Sequence, residues 1–106
     1  MSRRQRAIGY ARAGAGAGLE AERTAIEAAC ARRGWELVRL EAEETSSGKS
    51  GHSRLARVLA AVGAGEAQVL VVARLDRVAR SVSEAAQLLA RARGEGWNLV
   101  ALDLGL

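Results

Sequence analysis

Gln68 to Ala73 (QVLVVA) is a run of six residues without a charge, and it constrains the fold more than any other segment. Gly63 to Gly65 lies just before it and a charged connection, Arg74 to Ser81 (RLDRVARS), follows. A run this short and this apolar has no face to give to water. It therefore reads as a central strand of a parallel sheet, covered on both sides. Its neighbours in the chain are strand-like and helix-like segments in alternation. Ala7 to Ala11 (AIGYA), Glu36 to Glu41 (ELVRLE) and Trp97 to Leu102 (WNLVAL) read as three further strands. Between them, Leu19 to Arg33 has Leu19, Ala25, Ile26, Ala29 and Cys30 near one apolar face, with Gly34 as its stop. Arg54 to Val62 places Leu55, Val58, Leu59 and Val62 on one face. Val82 to Arg93 is a third helix, with Ser81 or Ser83 as N-cap and Gly94 to Gly96 as its end.

The order β-α-β-α-β-α-β predicts one α/β domain, residues 1–106: a mostly parallel four-stranded sheet, helices on both faces and right-handed crossovers. Sites in such sheets form at the carboxyl ends of the strands. Arg12 to Gly18, Glu41 to Ser53 and Arg74 to Ser81 are thereby brought to one end of the molecule. The first of these contains the small-residue stretch Ala13 to Gly18 (AGAGAG). The second contains a glycine- and serine-rich polar segment, Ala42 to Ser53, read as a mobile loop.

Composition narrows the class. Apolar residues make up 49% of the 106, enough for one packed core. Proline is absent and aromatics are 3%, so alanine, leucine and valine must fill that core. No apolar run approaches the roughly 20 residues of a membrane span, and no signal peptide is recognisable. A cytoplasmic protein without membrane association is expected. A lone cysteine, Cys30, excludes an internal disulfide and reads as a buried thiol. With His52 as the sole histidine there is no Cys/His cluster for zinc and no Cys-His catalytic pair. The net charge of +4 is the balance of 16 basic and 12 acidic residues, and Lys49 alone of the basic ones is a lysine. That balance favours a polyanionic partner such as nucleic acid, although arginine bias also follows genomic base composition.

The chemistry concentrates after the third strand. Arg74, Asp76, Arg77 and Arg80 fall within seven residues, and one helical turn would point Arg77 and Arg80 the same way. Arg12 ends the first strand and Arg54 opens the second helix. If these loops converge, several guanidiniums face one pocket, and fixed planar donors of that kind suit a phosphate diester. Preorganised cations there would stabilise the charge that phosphoryl transfer spreads over the non-bridging oxygens. A solvated charged loop is the plain alternative.

Four strings resemble the N-terminal catalytic domain of serine site-specific recombinases, the resolvase/invertase family. They are IGYAR at Ile8 to Arg12, SSGKSGHSR at Ser46 to Arg54, GEAQVLVVARLDRVARSV at Gly65 to Val82, and WNLVALDLG at Trp97 to Gly105. The resemblance covers nearly the whole chain, and the third string is the most specific. It implies a three-layer domain with strand order 2-1-3-4. It implies a reaction in which a serine attacks a DNA phosphodiester, forms a 5′-phosphoserine linkage and releases a 3′-hydroxyl, while four subunits cut, rotate and rejoin two duplexes. Carried over by position, Arg12, Arg54, Arg77 and Arg80 would bind and activate the scissile phosphate, with Lys49 able to reach it. Asp76 would handle a proton or hold the arginines in place. No metal or cofactor is required. The implied partners are duplex DNA and further subunits, in dimers or tetramers of the full-length protein.

The departures from the family pattern carry equal weight. Gly14 occupies the nucleophile position and has no hydroxyl to form the ester. Ala15 and Gly16-Ala17-Gly18 replace residues that are usually polar, and that loop is one residue short. Glu22 stands where the family has glutamine, in the element beginning at Leu19; a carboxylate there would repel a phosphate and could pair with an arginine. The chain stops after the fourth strand, so the long dimerising helix and DNA-binding domain are absent from it. The expectation is a catalytic domain by descent, without cleavage activity as it stands. Ser46, Ser47, Ser50, Ser53 and Ser81 are poor substitutes, because a loop does not hold a nucleophile to the roughly 0.5 Å that chemistry needs.

Two other readings stay open. Gly14-Ala15-Gly16-Ala17-Gly18 between strand and helix could cradle a pyrophosphate, with Glu41 or Glu43 as the ribose acid, although GxGxG lacks the full dinucleotide fingerprint. The fold could also serve as a non-catalytic DNA-binding or protein-interaction module. Of the aromatics, Trp35 and Trp97 read as core or strand-edge packing, and Tyr10 as a buried anchor with its hydroxyl near the site.

Overall fold

A computed structural model describes residues 4–13, 17–44 and 53–104. The chain runs β1 (Arg6–Ala13), α1 (Ala17–Arg33), β2 (Glu36–Glu44), α2 (Ser53–Gly63), β3 (Val69–Val72), α3 (Val82–Glu95) and β4 (Asn98–Ala101). Single 3₁₀ turns follow β3 (Leu75–Arg77) and β4 (Leu102–Leu104). The four strands form one sheet in the order β2-β1-β3-β4, with every neighbouring pair parallel. Both the alternation of elements and the expected strand order are realised.

Side chains alternate across the pleat, and the two faces of the sheet bury different partners. Ala7 and Ala11 of β1, Val69 and Val71 of β3 and Val100 of β4 pack with Ile26 and Cys30 of α1. Ile8, Tyr10, Leu70, Val72 and Ala101 pack with Leu55, Val58 and Val62 of α2 and Leu88 and Ala92 of α3. The molecule is therefore three layers: α1, sheet, then α2 with α3. All four residues of β3 are buried, as an uncharged central strand requires.

Gly9 sets the spacing between β1 and α1. A Cβ there would lie 2.7 Å from Ile26 Cγ2 and 3.3 Å from Leu40 Cγ, so the helix sits where only glycine leaves room. Cys30 is buried in the same layer, and burial raises its thiol pKa.

β1 and β2 run longer at the site end than their apolar cores suggest, whereas β3 and β4 each stop one residue short of the expected Ala73 and Leu102. β1 continues through Arg12 and Ala13, and β2 through Glu43 and Glu44, where they pair Arg12 with Glu43 and Ala13 with Glu44. The polar residues from Ala42 to Glu44 are thus strand rather than loop, because the backbone ladder with β1 holds them. Residues 45–52 of that predicted loop, including Lys49 and His52, lie outside the described residues, as do residues 14–16 of the Gly-Ala stretch, while Ser53 opens α2. α1 begins two residues earlier than its apolar pattern. In α3 the glycine that ends the helix is Gly96, at φ 83°; Gly94 lies within it.

Candidate functional site

Strand order fixes where a site can form. From β1 the chain crosses to β2 on one side, then returns over β1 to β3 on the other. The carboxyl ends of β1 and β3 flank this switch point, where α/β sheets leave a crevice. Such a cavity is present here, of about 420 Å³. Arg12 at the end of β1 lines it, together with Asp76, Arg77, Val78, Ala79 and Arg80 from the connection after β3. Leu55, Ala56 and Leu59 of α2 and Glu84 of α3 complete the wall. Three of the predicted arginines and the predicted aspartate thus meet in one place, from segments far apart in the chain.

The connection after β3 is shaped by hydrogen bonds that need no ligand. Its 3₁₀ turn places Asp76 between two arginines. Arg74 donates Nε and Nη2 to Oδ1 and Oδ2 of Asp76 at 3.2 and 3.0 Å, a two-pronged pair, and Arg77 Nη1 reaches Oδ1 at 3.3 Å. The hydrogen bonds from Arg74 and the two positive charges hold the Asp76 carboxyl below its ordinary pKa, so it is ionised at neutral pH. Ser81 caps α3 by accepting from the Glu84 amide at 3.1 Å, and the Glu84 carboxylate accepts from the Arg80 amide at 2.7 Å. The backbone carrying Arg80 is tied to the start of α3.

Arg77 has a second carboxylate. Glu22 of α1 accepts from Arg77 Nε at 2.8 Å and Nη2 at 2.6 Å, both on Oε2, while its Oε1 accepts from the Arg12 backbone amide at 3.1 Å. The Glu22 side chain is 10% exposed and that of Arg77 26%. This is the closest ion pair of the site among the described residues, and it is the pairing with an arginine that a carboxylate at this position allowed.

The family model described as "Resolvase, N terminal domain" matches residues 7–106. The chain belongs to the resolvase N-terminal domain family. No curated protein matches it by sequence. Among solved structures, a resolvase family site-specific recombinase from Streptococcus pneumoniae superposes with a TM-score of 0.85 at 22% identity, covering 97% of this chain and 75% of that one. The N-terminal catalytic domain of TP901-1 integrase gives 0.82 at 17% identity, covering 96% and 80%. The C-terminal catalytic domain of ISC1926 TnpA, an IS607-like serine recombinase, gives 0.78 at 17%, covering 92% and 70%. At these identities the likeness is one of fold.

In this resolvase domain the remaining predicted residues fall differently. Arg54, at the start of α2, directs Nη1 to the Ala42 carbonyl at 2.8 Å and so ties α2 to the end of β2. Gly14 and Lys49 lie outside the described residues. Among the described residues there is no group of three or more His, Cys, Asp or Glu side chains that could hold a metal, and no helix long and apolar enough to cross a membrane.

One pairing beside the site was not foreseen from the sequence, that of Glu43 with Tyr10. Glu43 is 6% exposed, and its Oε1 accepts from the Tyr10 hydroxyl at 3.2 Å. Its Oε2 is buried without a hydrogen-bond partner among the described residues. Burial and, secondly, the Glu43 charge push the Tyr10 pKa up to about 12, so Tyr10 stays protonated and donates. The signal available was the β-alternation running on past Leu40, masked by glutamates on both faces.

Proposed function

We propose that this chain is a DNA-directed recombinase domain by descent, whose arginine-lined cavity takes a backbone phosphate of duplex DNA but which does not cut it. The single observation that supports the reading most is the convergence of Arg12, Arg77 and Arg80 on one cavity at the switch point of the sheet. Guanidinium groups carried by a strand end and by a connection held with hydrogen bonds suit the planar recognition of phosphate oxygens. Arg54, beside the cavity on α2, and Lys49 would extend that contact along the duplex. Asp76 orients Arg74 and Arg77 through the hydrogen bonds described, which is a positioning role.

Cleavage by the family's chemistry needs an oxygen nucleophile on the protein. Gly14 stands at that position in the motif and supplies none. The transesterification therefore has no acceptor for the phosphoryl group, and the domain would bind without forming a phosphoserine linkage. Association with other subunits, as dimers or tetramers, belongs to the same proposal. The alternative within the same fold is a non-catalytic module that recognises protein rather than DNA.

Fluorescence anisotropy with a duplex at two salt concentrations tests the binding. Affinity should fall steeply with salt, and Arg80→Ala should weaken binding and lower the magnitude of the salt slope by about one. Absence of binding at low salt would overturn the DNA reading. A denaturing gel tests the chemistry: the chain as written should leave no covalent adduct, and a phosphoserine-linked adduct would show that another hydroxyl serves.

A further inference from the structure

Glu22 occupies the inner side of this site. It reaches the carboxyl end of β1 from α1, the helix on the opposite face of the sheet from α2 and α3. Both its oxygens are engaged, Oε1 by the Arg12 amide and Oε2 by two N–H groups of Arg77. One backbone amide and one guanidinium edge converging on two oxygens is the donor set that a tetrahedral oxyanion would use.

We propose that Glu22 is the specificity-determining residue of the site: its carboxylate is an internal occupant of the Arg12–Arg77 cradle, and an oxyanion engages this edge of Arg77 only by displacing it. The inference rests on the reading of the arginines as a phosphate site and states what limits that site. The carboxylate is tethered, nearly buried and already paired, so a free phosphate competes against a partner at high effective concentration. A DNA phosphate competes on the same terms, with additional contacts to offset the loss. Glutamine at this position keeps the volume and an oxygen for the Arg12 amide, while removing the charge that holds Arg77.

The test is a titration with inorganic phosphate of three proteins: the unmodified chain, Glu22→Gln and Glu20→Gln. Glu20 lies on the same helix, exposed and 3.7 Å from Arg23, so its substitution makes the same change in net charge away from the cradle. The readout is the NMR shift of the Arg77 Nε–H and of the Arg12 amide. Glu22→Gln should bind phosphate about tenfold or more tightly than the unmodified chain, with both resonances moving. Glu20→Gln should stay within about twofold of it. Equal gains in the two variants, or no gain in Glu22→Gln, overturn the proposal. Should Glu22→Gln fail to fold, the unmodified chain decides: an Arg77 Nε–H that titrates to saturation at about 1 mM phosphate or below overturns it, and one held at its carboxylate-bonded shift supports it. A short duplex added to the same proteins separates the two ideas. Phosphate gain without duplex binding sinks the DNA reading and leaves Glu22 as the competitor; a duplex bound equally by the unmodified chain and Glu22→Gln does the reverse.

Discussion

Tyr10 and Glu43 form a buried pair in which each residue depends on the other. The carboxylate has one oxygen bonded to the phenol and one without a partner among the described residues. Removing the donor with Tyr10→Phe strands the carboxylate, and urea denaturation at neutral pH should show a loss of about 1–3 kcal/mol. The pH dependence has a definite sign. Folding raises the Tyr10 pKa from 10.0 to about 12, so the folded state holds the phenolic proton more tightly. That contribution is complete below pH 10.0 and is lost as pH rises towards about 12. It amounts to roughly 3 kcal/mol. The chain has a single tyrosine, so tyrosinate absorbance reports this group alone. Alkaline denaturation should track it and should lose that component in Tyr10→Phe. An ordinary tyrosine titration centred near 10 in the folded chain would contradict the burial. The sequence placed the Tyr10 hydroxyl near the site but left its acceptor unnamed, because Glu43 lies 33 residues away and is brought alongside only by the β1–β2 ladder.

Between β1 and α1, contact at the level of whole elements turns on one missing methyl group. With a Cβ only 2.7 Å from Ile26 Cγ2, Gly9→Ala must push the helix off the sheet or force Ile26 from its rotamer. A loss of about 1–3 kcal/mol in denaturant melts is expected. An unchanged melting midpoint would mean that the α1 layer packs more loosely than described. The glycine was visible in Ile8 to Arg12; its partner was not. At α3 the start was nearly legible, since Ser81, one of the two serines expected there, caps it. Ser81→Ala should cost about 1 kcal/mol, measured in the same melts. Its end was less legible. Gly94 and Gly96 are equivalent stop signals in sequence, and only the backbone path into β4 selects Gly96 for the left-handed turn. β2 outran its predicted end for a related reason: pairing with β1 overrides the weak strand propensity of alanine and glutamate.

Across the whole molecule, β1 and β3 are bonded on both edges, whereas β2 and β4 are bonded on one. Native-state hydrogen exchange should therefore find the slowest amides in Ile8–Ala11 and Leu70–Val72, opening only with global unfolding, and faster exchange along β2 and β4. Equal protection of β2 and β1 would indicate a further partner on the β2 edge. The same central pair carries the site, since the crevice opens at the carboxyl ends of the two most firmly held strands. A rigid platform beneath Arg12 and the Arg74–Arg80 connection is what positioned guanidinium groups require.

The alternation of short apolar runs with amphipathic helices was sufficient, by itself, to determine an α/β domain with its loops gathered at one end. This is so because burial of apolar side chains depends on local periodicity, which a linear sequence records. The sequence also named the arginines and flagged Glu22 as a departure. Only the tertiary structure decided which charges meet. Ion pairs such as Glu22 with Arg77, 55 residues apart, depend on distances of a few ångströms set by strand register and by a helix packed against a glycine. Charge attraction grows as groups close to a few ångströms and hydrogen-bond geometry adds the direction, whereas the order of residues offered Glu22 an arginine partner without saying which.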